Sequence, residues 1–249
     1  RGELMDYLLK NLNLFSGKGN EALKNAAIWV AGSKIKFAGS FEALPEMPQG
    51  TVEKDLAGKF VMAGMTETHA HLSFADASPF AIGETLVEEA TLTAVRNARL
   101  MLGSGFTSAV SFGSTYKIDV ALRDAISQGS VIGPRLLAAG RDLGATASNV
   151  DSGGGLSQIA DGPWALRKAV REQRKIGVDV VKIFIDGEAI NKQNPPGELS
   201  FTDEEVSAAV AEAHRRGMRV ACHARSAAAV KQAVRAEVDF IGHANYLDQ

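Results

Sequence analysis

The chain has 249 residues, 45% of them hydrophobic, with 27 Lys and Arg against 29 Asp and Glu for a formal charge of -2. That is enough apolar material for one large domain, or one large and one small, with a sizeable core. The charges are spread along the chain, which leaves no basic footprint for nucleic acid or an anionic membrane. No stretch reaches the ~18 consecutive apolar residues of a membrane span.

Cys222 is the single cysteine, so an internal disulfide is impossible and the expected compartment is the cytoplasm. Arg1 to Lys18 lacks the basic segment and apolar run of a signal peptide. Tyr7-Leu8-Leu9, Ala26 to Val30 and Lys34 to Ala38 are short apolar or alternating stretches broken by Ser16-Gly17, Gly32-Ser33 and Gly39-Ser40. They predict small antiparallel strands on tight turns, hence a small β subdomain over residues 1–59, to which Thr51 to Leu56 can add a strand.

From Phe60 the pattern becomes a short buried-looking run followed by a helical stretch, repeated. The runs are Phe60 to Thr66, Phe106 to Val110, Arg135 to Ala139, Val178 to Ile185, Met218 to Cys222 and Val238 to Ile241. Strands alternating with helices imply an α/β domain, residues 60–249, with a parallel sheet covered by helices. Glu84 to Leu102 keeps Leu86, Ala90, Ala94 and Ala98 near one helical face. Thr202 with Glu205 forms a capping box ahead of a helix closed by Gly217, and Ser226 caps the next one. Six β units can be counted before Gln249; an eight-stranded (β/α) barrel needs two more, whereas an open doubly wound sheet does not. Gly140 to Pro163 and Gly187 to Leu199 look too irregular for simple connections and are expected to cover the mouth as functional loops.

His69-Ala70-His71 follows the first run, and the two-residue offset places both imidazoles on one side, as joint ligation of an ion requires. Lys182 sits inside the apolar run Val180 to Ile185, where a free ammonium is costly without a partner. It either snorkels or pairs with an acid such as Asp186, or else desolvation depresses its pKa so that the free amine takes up carbon dioxide as a carbamate and ligates metal. His223 and His243 end the fifth and sixth runs, on the side of a βα barrel that carries catalysis. By contrast, His214 lies inside a helix beside Arg215 and Arg216 and is left out of the site. Cys222 alternates away from His223 and reads as an inert core residue.

Val61-Met62-Ala63-Gly64-Met65-Thr66-Glu67-Thr68-His69-Ala70-His71-Leu72 resembles the first-strand signature of the amidohydrolase superfamily. Gly105 to Ser108, Gly133 to Leu136 and Asp179 to Phe184 resemble successive landmarks of its imidazolonepropionase-like and prolidase-like branch. The resemblance implies a (β/α)8 TIM-like barrel, here its first six β units, beside part of a small β-sandwich. It also implies two divalent metal ions, expected to be zinc, with His69 and His71 on the more buried ion, carbamylated Lys182 as bridge, and His223 and His243 on the more exposed ion.

The branch departs from this chain at Ala63, where proline is common, and at Ser111-Phe112-Gly113, where an acidic turn is frequent. It departs again at Ala147-Ser148-Asn149, which lacks a frequent histidine. Its eighth-strand aspartate has no counterpart here, and Asp248 follows the sixth run and does not fill the role. The partners expected are therefore a small-molecule substrate, the remainder of the same polypeptide with strands seven and eight, and further copies in a homo-oligomer.

The implied reaction is hydrolysis of an amide-type C-N bond, in a dipeptide, N-acyl amino acid, urea or carbamate, by a metal-bridging hydroxide, with Lys182, His223 and His243 in catalytic positions. A phosphotriesterase or lactonase, or a non-catalytic scaffold, are the competing readings. Candidate substrate-pocket residues are Phe74, Phe80, Phe112, Arg141, Asn149, Arg225 and Tyr246. The aromatic rings suit an apolar group, and either arginine suits a carboxylate.

Overall fold

The computed structural model describes residues 5–75, 82, 84–151, 155–188 and 194–248. Two compact units divide at Gly64. In the smaller, β1 (Asp6–Phe15), β2 (Leu23–Ala31), β3 (Lys34–Ser40) and β4 (Val52–Met62) form one sheet in the order β3-β2-β1-β4. The β1–β2 and β2–β3 pairs are antiparallel, as expected, but β4 runs parallel to β1. Leu12, Leu14, Ala26 and Ile28 are its buried cluster.

The run expected as the first strand of the larger domain is divided between two strands. Phe60, Val61 and Met62 finish β4, where they pair with Asn13, Leu14 and Phe15, and Phe60 is 77% exposed rather than buried. The larger unit begins instead with β5 (Met65–Ala70). Alternation along Val52 to Ala70 is compatible with either assignment, and only the pairing partner decides where one strand stops.

Among the described residues of the larger unit, the named strands pair only in parallel, and a lone antiparallel bridge joins Asp186 to Leu199. β5, β6 (Phe106–Ser111) and β7 (Arg135–Leu137) make one sheet. β9 (Ser157–Ile159), β8 (Asp142–Gly144), β10 (Val180–Phe184), β11 (Arg219–Ser226) and β12 (Phe240–Tyr246) make the other. Residues 135–144 link them: Leu137 pairs with Val110 of β6, the Ala138 carbonyl accepts from Val180 N–H at 3.1 Å, and Leu143 pairs with Ile183. The buried Asp119 carboxylate accepts from the N–H groups of Ala139 at 2.7 Å and Gly140 at 3.0 Å. It thereby satisfies donors that the break in strand pairing would orphan. The segment Gly140 to Pro163, expected as a loop, thus contains both β8 and β9. Strands β11 and β12 also run further than expected, so His223 and His243 lie within strands rather than just beyond them.

Helices cover one side. α1 (Val87–Gly103) buries Ala90, Ala94 and Ala98, and α2 (Ile118–Ser127) buries Ile118 and Leu122, in a cluster with Ala109 and Leu136. α3 (Pro163–Ile176), α4 (Asp203–Arg215) and α5 (Ala227–Arg235) pack their apolar faces on Leu143, Val181, Ile183, Val220 and Cys222. The capping box of Thr202 and Glu205 and the Ser226 cap are both present. No helix among the described residues is long and apolar enough to cross a membrane. Because alternate residues face the helices, the residues between them, Val180, Lys182, Ala221 and His223, face the other way.

Leu143 is fully buried where the two sheets join. Leu143→Ala is expected to cost about 2–5 kcal/mol and Thr202→Ala about 0.5–2 kcal/mol, read as shifts of the urea unfolding midpoint.

Candidate metal centre

The side of the strands turned from the helices carries an apolar floor of Val110, Phe112, Ala139, Val180 and Ala221. Polar side chains gather beyond that floor, where the strands end. The register sets this: Lys182 pairs with Ala221 and Phe184 with His223, while His223 pairs with Gly242 and Ala224 with His243. His69 lies 4.7 Å from His243 and 5.2 Å from His71 between ring centroids, and His223 lies 4.4 Å from His243. A cavity of about 410 Å³ is lined by His71, Lys182, His223 and His243 together with Phe74, Asp142, Asn149, Glu188 and Arg225.

Each ring is held by its neighbours. His69 stacks on Phe112 at 4.1 Å, His71 on Phe74 at 4.5 Å and His223 on Phe184 at 3.7 Å. His71 Nδ1 lies 3.0 Å from the Gly113 carbonyl, which can only accept, so Nδ1 carries the proton and Nε2 keeps its lone pair. The same logic applies to His223, whose Nε2 faces the Gly187 carbonyl at 3.3 Å and leaves Nδ1 bare. His243 is exposed and has φ +77, a conformation that costs a non-glycine residue about 1–3 kcal/mol and persists only when the surroundings enforce it.

The electrostatics favour neutral imidazoles. Burial first, then the Lys182 charge, lowers His69 and His71 to about 3 and His223 to about 2. Burial, then Arg225 and Lys182, lowers His243 to about 4. Neutral rings have lone pairs to give.

Lys182 is 1% exposed, donates to the Phe112 carbonyl at 2.9 Å, and is pulled below the ordinary lysine value by burial, against the opposing charge of Asp142. Pairing with Asp186, one reading of the sequence, does not occur among the described residues. The Asp186 carboxylate instead accepts from the N–H groups of Arg225 at 2.8 Å, Ser226 at 2.9 Å and Gly197 at 3.2 Å.

Glu188 was not anticipated from sequence. It lies in the loop after β10, where its carboxylate is gripped by Arg225 at 2.7 and 2.8 Å, and its Oε1 sits 3.6 Å from His223 Nδ1. One ligand atom each from Glu188, His223 and His243 falls within 4.8 Å of the other two, a spacing that can hold a metal ion. Two acceptors facing each other at such range call for a cation between them. Asp142 was also missed. Burial raises its carboxyl to about 6, with the Lys182 charge opposing. Its position beside Leu143, which faces the helices, was the signal: alternation turns Asp142 inward.

Among the other residues read as pocket candidates, Phe74, Asn149 and Arg225 line the cavity. Phe112 lies beside it under His69, in an adjoining cleft with Thr68 and His243. Arg141 is not among the lining residues and points its guanidinium toward the Ser157 carbonyl at 3.5 Å, and Tyr246 is 55% exposed on β12 away from the lining. Phe80 is outside the described residues. His214 pairs with Asp239 at 2.9 Å, Asp248 with Lys231 at 2.7 Å, and Cys222 is buried under the helices with its thiol raised to about 12 by desolvation.

The model of the amidohydrolase family matches residues 60–249. The chain belongs to the amidohydrolase family. Within it, similarity runs to the prolidase- and ochratoxinase-like branch. The ochratoxinase of Aspergillus niger is 27% identical over 264 residues, covering 95% of this chain and 54% of that protein. The chain thus spans about half the length of the curated relatives it matches.

Among solved structures of this amidohydrolase branch, a Xaa-Pro dipeptidase with bound methionine has TM-score 0.86 and 28% identity over 98% of this chain and 62% of that one. The A. niger ochratoxinase structure has TM-score 0.85 and 25% identity over 99% of this chain and 62% of that one. Another amidohydrolase reaches TM-score 0.89 and 29% identity over 98% and 62%. The α/β fold of the larger unit is therefore that of the TIM-barrel-like superfamily.

The lowered histidine pKa values set a pH dependence for the metal-free chain. Above about pH 6.5 the rings are neutral whether the chain is folded or not, so folding carries no proton penalty. As pH falls below that, the unfolded chain takes up protons that the folded chain refuses down to about pH 3 or 4, and stability is lost. Asp142, with its raised pKa, works in the opposite sense below about pH 6, one carboxyl against several rings. The urea midpoint in the presence of chelator should fall between pH 7 and pH 5, and less steeply in His223→Gln.

Proposed function

We propose that this centre belongs to a binuclear metal-dependent hydrolase that cleaves an amide-type C-N bond in a dipeptide, N-acyl amino acid, urea or carbamate. The observation that supports it is the convergence of residues from four different strands or strand ends: His71, Lys182, His223 and His243 line one cavity, and His69 lies beside it, its ring centroid 4.7 Å from that of His243 and 5.2 Å from that of His71. On this reading β5, β6, β7 with β8, β10, β11 and β12 are the first six strand positions of a (β/α)8 barrel. The four-stranded sheet belongs to a small sandwich, and the rest of the polypeptide supplies strands seven and eight with an aspartate.

The donor set fits two divalent ions, zinc in the reading drawn from family resemblance. His69 and His71 would hold one and His223 and His243 the other. Lys182 would bridge them as a carbamate, its amine nitrogen forming a bond to the carbon of carbon dioxide and releasing one proton. Burial that keeps the amine uncharged favours this step. Bound divalent metals supply Lewis acidity, lowering the pKa of water and polarising a carbonyl.

This chain's own residues do the positioning. The carbonyls of Gly113 and Gly187 fix the tautomers of His71 and His223. Phe74, Phe112 and Phe184 stack on the rings of His71, His69 and His223 and hold them against rotation. Arg225 holds Glu188 beside His223 and keeps a cation at the cavity wall. The grouping of Glu188, His223 and His243 favours a second reading, a single ion held by these three.

Metal content of the complete polypeptide separates the readings: two ions per chain are expected, with one predicted instead by the single-ion site. Lys182→Ala should lose the paired ions and at least ~10²-fold of the turnover of an N-acyl amino acid. Full two-ion occupancy in that variant would overturn the bridging role.

A further inference from the structure

A groove of about 300 Å³ runs between α3 and α4 and shares no lining residue with the cavity of the metal centre. α3 contributes Trp164, Arg167 and Arg171 to it, and α4 contributes Glu204, Glu212 and Arg215. Spacings of three, four and eight residues put each set along one stripe of its helix. The stripes flank the faces on which Leu166 and Val170 of α3, and Ala209 and Ala213 of α4, pack into the core.

Glu212 is 1% exposed and sits at the centre of a charge imbalance. Its Oε1 accepts from Arg171 Nε at 2.9 Å and Arg216 Nε at 2.6 Å, and its Oε2 accepts from Arg215 at 2.7 Å. Three guanidiniums thus converge on one carboxylate, and two positive charges are left over at close quarters. The side chains of Arg171 and Arg215 remain 48% and 64% exposed, so their other N–H groups are open to an acceptor from solvent. Arg167 has no ion pair among the described residues, its guanidinium reaching only the Ala208 carbonyl at 3.5 Å, and Glu204 offsets its charge across the groove. Repulsion among the guanidiniums is relieved by an anion with two negative charges, and their planar forks match phosphate oxygens in pairs.

Trp164 is 80% exposed in the first turn of α3, with the Arg167 guanidinium 5.9 Å from its ring centroid. An indole at the edge of a cationic groove offers a planar surface on which an aromatic ring stacks. We propose that this groove binds a phosphate monoester carried on a planar aromatic ring, a ligand of mononucleotide size. The phosphate dianion answers the two excess charges of Arg171, Arg215 and Arg216, and the ring lies on Trp164. A carboxylate cancels only one of those charges, and a ring without an anion forgoes the guanidiniums. A nucleic acid strand needs an extended basic surface that the chain lacks, whereas a single phosphate needs only this cluster. The site requires nothing of the hydrolase reading.

The test follows the fluorine NMR signal of fluorotryptophan at position 164 in the complete polypeptide, assigned by its disappearance in Trp164→Phe. The probes are adenosine monophosphate, adenosine and inorganic phosphate, titrated at low salt. The monophosphate should shift the signal with an affinity at least about tenfold above that of adenosine or phosphate, because stacking and charge pairing each contribute a factor of that order. Arg215→Gln should weaken the monophosphate about tenfold and leave adenosine unchanged. No shift with the monophosphate, equal affinity for adenosine or phosphate, or an unchanged affinity in Arg215→Gln would each overturn the proposal. If Arg215→Gln fails to fold by circular dichroism, Arg171→Gln takes its place with the same expected outcomes.

Discussion

The desolvation of one amine organises the site. Lys182 lies in the middle of β10 with both adjacent strands in register and the helical layer behind it, so it is almost wholly withdrawn from water. A single backbone carbonyl and the faces of Phe112 and Phe184, 4.9 and 5.6 Å away, are modest compensation for a buried charge. The consequence propagates outward, because an amine pushed toward its neutral form adds less repulsion to the four imidazoles around it. Those rings in turn stay neutral because they are partly buried beside it.

The scaffold makes this arrangement affordable by separating two faces of the same strands. Val181, Ile183, Val220 and Cys222 carry the packing against α3, α4 and α5, while Lys182, His223 and Asp142 occupy positions one residue away and contribute little to that core. Stability and chemistry are thereby assigned to alternate residues. The strained His243 is tolerated on the same terms: the register shift in the β11–β12 pairing absorbs its positive φ without disturbing the apolar layer. The Asp186 carboxylate ties the end of β10 to β11 through the N–H groups of Arg225 and Ser226, and takes a third from Gly197 in the loop before α4, which sets where Glu188 and Arg225 meet.

Much of this is legible in the sequence. The alternation of apolar runs with helical stretches, the Thr202 and Glu205 cap, the Ser226 cap and the outward turn of Cys222 are local properties, written in periods of two and 3.6 residues. The histidine pair at 69 and 71, the lysine in an apolar strand and the histidines at 223 and 243 stood out because polar groups interrupt those periods. What misled was equally local. Phe60 to Met62 has the composition of a buried strand but completes β4, and β8 and β9 are too short and too rich in small or polar residues to stand out from a loop.

Residue order by itself therefore determined the helices, most of the strands and the face their side chains take, and it singled out the residues proposed to bind metal, because these depend on neighbours a few positions apart. Tertiary structure alone decided that Glu188 faces His223, that Asp186 is consumed by backbone donors rather than by Lys182, that Arg141 turns away from the cavity, and that Asp142 Oδ1 has no hydrogen-bond partner among the described residues. Those outcomes depend on register and on loop closure between residues distant in sequence, as with Arg225 gripping Glu188. No periodicity in the chain encodes such distances.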